Sequence, residues 1–233
     1  MDHQKDILEN FLDDKNLERN PLFKEFCQYK EKGLRKEAFK SLDTFLNETK
    51  DWNAVKKRAF ISWLFGWFEK SDDIHHVLVH PLEEKLLKPT LNDWMVEDSE
   101  DPKLFRWSGL FLKTDDHLTH LEKALELGGK REQRVLEEII NYYIYSIEFS
   151  FHHINEDAYL GEIHEDQEIL LKIDCLSTKV EDTQSKENIR QTVTYYKNLL
   201  NDWMEFSSQG KEGFVQWCTE NGKDYGWTNS YYY

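Results

Sequence analysis

Apolar residues recur at steps of three and four along nearly the whole chain, and no stretch sustains the alternation of two with β-branched residues that marks a half-buried strand. The pattern predicts an all-α protein. Helices are expected at about 4–14, 21–32, 35–48, 52–69, 72–79, 81–87, 89–97, 102–112, 115–127, 130–153, 165–180, 186–207 and 211–220. Short connections favour antiparallel neighbours packed as helical hairpins. Two segments are apolar on more than one face. Over Phe60-Ile-Ser-Trp-Leu-Phe-Gly-Trp-Phe68 side chains cover the whole circumference, and Gly66 is expected to let another helix approach closely. Over 130–153 one stripe holds Leu136, Ile140, Tyr143 and Ile147 and another holds Ile139, Tyr142 and Phe149, so that helix is expected to be central.

The four prolines read as first-turn helix residues, each preceded by a residue that the ring pushes out of α geometry. Asn20-Pro21 and Asp101-Pro102 pair a good N-cap with proline at the first helical position. His80-Pro81 is followed by Glu83 and Glu84, which suit the positive end of a helix dipole, and Lys88-Pro89 is expected to open a separate short helix.

A faint internal repeat runs through this pattern. Gly33-Leu-Arg-Lys-Glu-Ala38-Phe-Lys-Ser-Leu42-Asp-Thr-Phe45 resembles the second half of a tetratricopeptide repeat, in which the small residue lets the two helices of a hairpin touch. Phe105-Arg-Trp107-Ser-Gly109 through Ala124-Leu125-Glu-Leu127 looks like a second unit, with a shortened loop, His117 in place of the small alanine and Gly129 in place of the terminal proline. More broadly, His80-Pro81-Leu82, Pro89-Thr-Leu-Asn-Asp-Trp94, Asp101-Pro-Lys-Leu-Phe-Arg106-Trp107-Ser-Gly109, Phe151-His-His153, Tyr159-Leu-Gly161 and Glu165-Asp166, in that order, are similar to a group of bacterial tetratricopeptide-like proteins with no assigned activity. The resemblance implies an irregular right-handed helical solenoid or bundle and gives no reaction and no cofactor. The expected organisation is a single helical domain over 1–221, with about 1–20 a loosely attached first helix, and an aromatic tail over 222–233.

Composition narrows the partners. Among 233 residues, 30 Lys and Arg stand against 45 Asp and Glu, a formal charge of −15, which disfavours sequence-independent binding to nucleic-acid phosphates or to an anionic membrane surface. The 39% hydrophobic fraction is low, but 8 Trp, 11 Tyr and 14 Phe supply large buried areas and remove the suggestion of disorder. Cys27, Cys175 and Cys218 lie far apart with no C-x-x-C pair, so neither a disulfide framework nor a zinc knuckle is indicated, and a reducing cytoplasm is the expected compartment. The mixed charges of the first ten residues do not read as a secretory signal, and no segment reaches the roughly 18 apolar residues of a membrane span.

Candidate chemistry sits at four places. His76 and His80 have the i, i+4 spacing of metal ligands, but Pro81 is expected to put them across a helix end. Asp115-Asp116-His117-Leu-Thr-His120 offers a second pair, against which stands the plainer reading of capping acids followed by half-exposed histidines. On the helix over 130–153, Asn141, Tyr145, Glu148 and His152 share one face. They form either its solvent strip or, with His153 and Tyr159, the floor of a groove that takes a partner's side chains. Arg106 beside Trp107 suits a carboxylate, bound from outside or internal. Phosphate loops and nucleophile motifs are lacking.

Two functions follow as expectations. The first is a non-catalytic helical-hairpin protein binding a protein or peptide, a basic one by charge, through an aromatic and polar groove, with an immunity or regulatory protein as the narrower version. The second is a metal- or His-dependent enzyme using Glu148, His152, His153 and Asp166.

Overall fold

The computed structural model describes residues 11–71 and 74–226, and among these every regular element is helical. Contacts divide the chain into two compact units, one up to Leu127 and one from Gly128 onward.

In the first unit α1 (Pro21–Glu31) and α2 (Arg35–Glu48) form a hairpin. Gly33 turns it in the left-handed region, φ +70°, where its N–H meets the Lys30 carbonyl and the Leu34 N–H meets that of Tyr29, closing the end of α1. The helices run antiparallel, with Ser41 donating back to Glu25 at 2.7 Å, and Ala38 is fully buried on the α2 side. Against this pair lies α3 (Ala54–Phe68), started by Asn53, whose side chain accepts from the Lys56 N–H at 2.9 Å. Rings fill the space between them: Phe23, Phe45 and Phe60 stand with centroids 5.1–5.2 Å apart, and Trp63 joins Phe60 at 5.6 Å. As its pattern predicts, α3 is packed on several sides, with Phe60, Ile61, Leu64, Phe65 and Phe68 all buried.

Residues 11–20 pack onto α3. Phe11 stacks on Trp63 at 5.3 Å, and Asp14 accepts from the indole nitrogens of Trp63 at 3.0 Å and Trp67 at 2.6 Å. The remainder of the expected first helix, residues 1–10, lies outside the described residues, as do 72–73. Of the helix expected over 72–79, the described residues 74–79 form a 3-10 turn, Ile74–His76, with Val79 extended.

The next helix, α4 (80–97), corrects the reading of Pro89. Instead of opening a new helix, Pro89 lies inside a continuous one: Leu87 and Lys88 before it keep α geometry, at φ/ψ −71°/−56° and −56°/−53°. A proline here has no N–H for the Lys85 carbonyl, and its ring crowds that carbonyl. The chain answers by widening to a π turn over Glu83–Leu87, immediately ahead of the proline. Pro21, Pro81 and Pro102 take the first-turn positions expected of them.

From Pro102 the chain forms α5 (Pro102–Phe111) and α6 (His117–Gly128). They approach closely at Gly109, where a Cβ would lie 2.6 Å from the Leu121 side chain. Gly66 behaves otherwise than expected: no helix approaches it, and a Cβ there would meet nothing within 4 Å.

The second unit holds α7 (Gln133–Ser150), α8 (Ile163–Ser177), α9 (Thr183–Ser207) and the short α10 (Phe214–Glu220). Contacts at two levels make α7 and α8 antiparallel: Gln133, at the start of α7, bonds to Lys179 and Glu181 beyond the end of α8, while Tyr143 near mid-helix receives Lys172. The same holds for α8 and α9, through Thr178 with Lys186, Asp174 with Lys197 and Gln167 with Met204. Of the 222–226 segment, Tyr225 is buried against α9, and the rest of the expected tail, 227–233, lies outside the described residues.

The two glycines predict opposite outcomes. Gly66→Ala should stabilise the protein by roughly 0.5–1 kcal/mol by removing unfolded-state entropy at no steric cost, whereas Gly109→Ala should cost about 1–3 kcal/mol through the clash with Leu121. Both are read from urea midpoints followed by tryptophan fluorescence. Asp14 predicts a pH effect. Burial alone raises its carboxyl, but the bonds from Trp63, the Asn16 backbone and Trp67 outweigh it and leave the group below its ordinary 3.8. A depressed carboxyl stabilises fully above its unfolded value and loses that contribution as pH falls toward the folded one. Asp14→Ala should therefore cost about 1.5–3 kcal/mol at neutral pH, and the gap to the parent should narrow as pH falls below the ordinary 3.8.

Candidate functional site

The chain places the candidate groove residues on α7 by simple periodicity. At about 100° per residue, Leu136, Ile139, Ile140, Tyr143 and Ile147 form one buried stripe, and this leaves Asn141, Tyr142, Tyr145, Glu148 and Phe149 on the other side. The expectation of a central helix is corrected here, because Tyr142 is 42% and Phe149 60% exposed. Tyr145 reaches 72%. Instead of a narrow polar strip between two buried stripes, α7 presents one broad face on which polar and aromatic side chains alternate.

Glu148 of this face and His152, just past the end of α7, line a concavity of about 240 Å³ together with Tyr195, Tyr196 and Leu199 of α9 and with Gly226. The rings of Tyr195 and Tyr196 meet at 88° with centroids 5.0 Å apart. Tyr196 packs on buried Phe151 at 5.5 Å, and Tyr195 packs edge-on against Tyr225 at 5.5 Å. Burial, then the nearby Glu148 charge and Tyr195, push the Tyr196 hydroxyl up to about 12, and burial raises Tyr195 as well. Asn141 and Tyr145 share the exposed face of α7 without lining the concavity.

Tyr159 and His153, in the turn between α7 and α8, and Asp166, in the first turn of α8, have other work. The Tyr159 hydroxyl donates to buried Asp166, and burial followed by that bond raises it well above its usual range. The Leu160 N–H bonds to the Ser150 carbonyl at 2.9 Å, so the backbone crosses Ser150 closely. At Gly161 any Cβ would lie 2.4 Å from both the Ser150 hydroxyl and an Asp166 oxygen, which explains the glycine. The Tyr-Leu-Gly and Glu-Asp motifs thus close a turn. His153 faces Glu156 at 3.4 Å, and its carbonyl accepts from the Glu156 and Ala158 N–H groups.

Asp157, which the sequence does not single out, is held at φ +61°, unusual for a residue other than glycine. The strained geometry aims its carboxylate at the N–H groups of Gly213 and Phe214, at 2.6 and 2.7 Å, and so caps α10 from a distance of 56 residues.

In the first unit Arg106 and Trp107 meet their carboxylate internally. The Arg106 Nε and Nη2 and the Trp107 indole nitrogen all reach Oε1 of Glu69, at 2.8, 2.8 and 2.9 Å. Trp107 also stacks on Phe65 at 5.1 Å. Ser108 meets His120 Nδ1 at 3.0 Å, so this motif joins helices residue by residue. His76 and His80 lie on either side of a helix start, with extended Val79 between them. Among the described residues no three or more His, Cys, Asp or Glu side chains are placed to hold a metal ion.

Sequence reasoning misses Tyr195, Tyr196 and Asp157. The tyrosine pair does carry a signal, since Thr192, Tyr195, Tyr196 and Leu199 fall on one side of α9 by their spacing, but nothing in it names α7 as its partner. Comparison with known proteins finds no matching family model, no matching curated protein and no matching solved structure.

The cap gives a test of this turn. Asp157→Ala should cost about 1–2 kcal/mol and speed amide exchange at Gly213 and Phe214, while Asp157→Asn, which tolerates the left-handed region and keeps an acceptor, should lose less. Hydrogen exchange read by NMR distinguishes the two.

Proposed function

We propose that this chain is a non-catalytic helical-hairpin protein, tetratricopeptide-like in its hairpins, that binds a basic protein partner through the exposed face of α7. The observation that carries the reading is the set of three aromatic side chains, Tyr142, Tyr145 and Phe149, held outward within about two turns of a helix whose other face is fully anchored. Exposed aromatic rings on a rigid element are what protein interfaces are rich in, and a large exposed apolar patch is costly without such a use. Charge supports a basic partner: from Gly128 onward the chain carries 10 Lys and Arg against 19 Asp and Glu, a net −9 of the total −15. No metal-ligand cluster accompanies this face among the described residues, and no helix there is long and apolar enough to cross a membrane.

The narrower form of the reading is an immunity or regulatory protein of the bacterial cytoplasm that masks a basic toxin. Three free cysteines, two of them buried, suit a reducing compartment. A toxin gene beside this one would supply the candidate partner.

The double variant Tyr145→Ser/Phe149→Ser should fold as the parent does, with a thermal midpoint within about 2 °C, since both side chains are mostly in water. It should bind the basic partner at least tenfold more weakly by calorimetry, and unchanged affinity would overturn the reading. Raising salt from about 50 to 300 mM should slow association of the parent pair.

A further inference from the structure

The concavity beside α7 has the make-up of a cation receptor. Two tyrosine rings meeting at a right angle form one wall, and Glu148 stands close enough to act on the Tyr196 hydroxyl. Neither ring is free to turn away. Tyr196 lies against buried Phe151, and Tyr195 lies against Tyr225, whose own hydroxyl donates to buried Asp202. Lys223 meets that same carboxylate at 3.1 Å, so two side chains of the segment holding Tyr225 are tied to one acid of α9. The corner is fixed before any ligand arrives, which lowers the ordering cost of binding.

An aromatic face next to a carboxylate attracts an organic cation twice, through the ring quadrupole and through charge. Elsewhere the molecule meets such faces with its own cations: Lys56 lies over Trp52, Arg58 over Trp94, Lys103 over Trp107 and Lys172 over Tyr143. Among the described residues, the lining of the tyrosine corner contains no Lys or Arg. Lys197, next in sequence to Tyr196, is directed to Asp174 at 3.0 Å.

We infer that the corner formed by Tyr195, Tyr196 and Glu148 receives an arginine side chain of the basic partner. A planar guanidinium stacks on one ring while its N–H fork takes the carboxylate, whereas an ammonium offers charge without the plane. The inference rests on the reading of α7 as the partner face, because Glu148 belongs to both the face and the concavity.

The test uses the full chain, isotope-labelled and titrated with N-acetyl-L-arginine N-methylamide and observed by NMR. The corresponding lysine derivative and the neutral citrulline derivative serve as controls. Saturable shifts centred on Tyr195, Tyr196 and Glu148, at least about fivefold weaker for lysine and absent for citrulline, are expected. Glu148→Gln, at an exposed position that leaves the fold intact, should weaken arginine binding about tenfold or more. The inference is overturned by shifts that do not saturate, by citrulline binding as well as arginine, or by Glu148→Gln binding as the parent does. Tyr145→Ser/Phe149→Ser should leave the titration unchanged, since neither residue lines the concavity. Partner binding that needs the α7 face while arginine fails to bind sinks this inference alone. Saturable arginine binding with a partner indifferent to that double variant upholds the cation site and sinks the reading of the face.

Discussion

Aromatic side chains are buried in both units beside the aliphatic ones, and those with polar edges must find acceptors once buried. This constraint organises both units. Trp63 and Trp67 converge on Asp14, Trp107 on Glu69, Tyr159 on Asp166 and Tyr225 on Asp202. In each case an acid that would otherwise add to the surface charge serves as the acceptor for an indole or phenol. The acceptors also fix topology, because each joins segments that the helix periodicity leaves independent. Asp14 binds the start of the described chain to α3, and Asp202 holds the segment after α10 against α9. The indole of Trp52 is the contrary case: its Nε1 is buried without a hydrogen-bond partner, and Lys56 covers the ring at 4.0 Å instead.

Helix identity is legible because the three-to-four spacing is the direct imprint of one-sided burial. What spacing does not encode is the force that overrides a local preference. Proline biases the preceding residue away from α geometry, which makes Pro89 read as a boundary, yet Leu86, Leu87, Thr90 and Leu91 are all buried and hold the helix together across it. The backbone pays with a π turn. Gly66 and Gly109 show the converse limit. Both are glycines within helical patterns, and only the position of a residue twelve places away, Leu121, makes one of them necessary.

The candidate site was legible to the extent that it lies on one helix. Asn141, Tyr145, Glu148 and His152 share a face because the helix repeat says so. Tyr195 and Tyr196 complete the concavity from about fifty residues later, and no local rule joins them to Glu148. The motifs 106–109 and 159–166 were legible as motifs, but their chemistry was not: an arginine beside a tryptophan suits an external carboxylate and Glu69 equally well, and only the 2.8 Å contact decides. Aromatic residues are the hardest case. Tyr142 and Phe149 score as apolar whether they face a core or water, so periodicity finds two stripes on α7 where only one is buried.

That ambiguity matters for how α7 can work. The buried stripe of Leu136, Ile139, Ile140, Tyr143 and Ile147 is enough to anchor the helix, at roughly 1.5–3 kcal/mol for each fully buried side chain. The outward face therefore contributes little to folding and is free to be chosen for other ends. Aromatic rings there are not demanded by helix propensity, since straight-chain residues form helices better than tyrosine or phenylalanine do. A helix anchored on one side and aromatic on the other separates stability from recognition, so substitutions on the outward face can change binding without disturbing the unit that carries it.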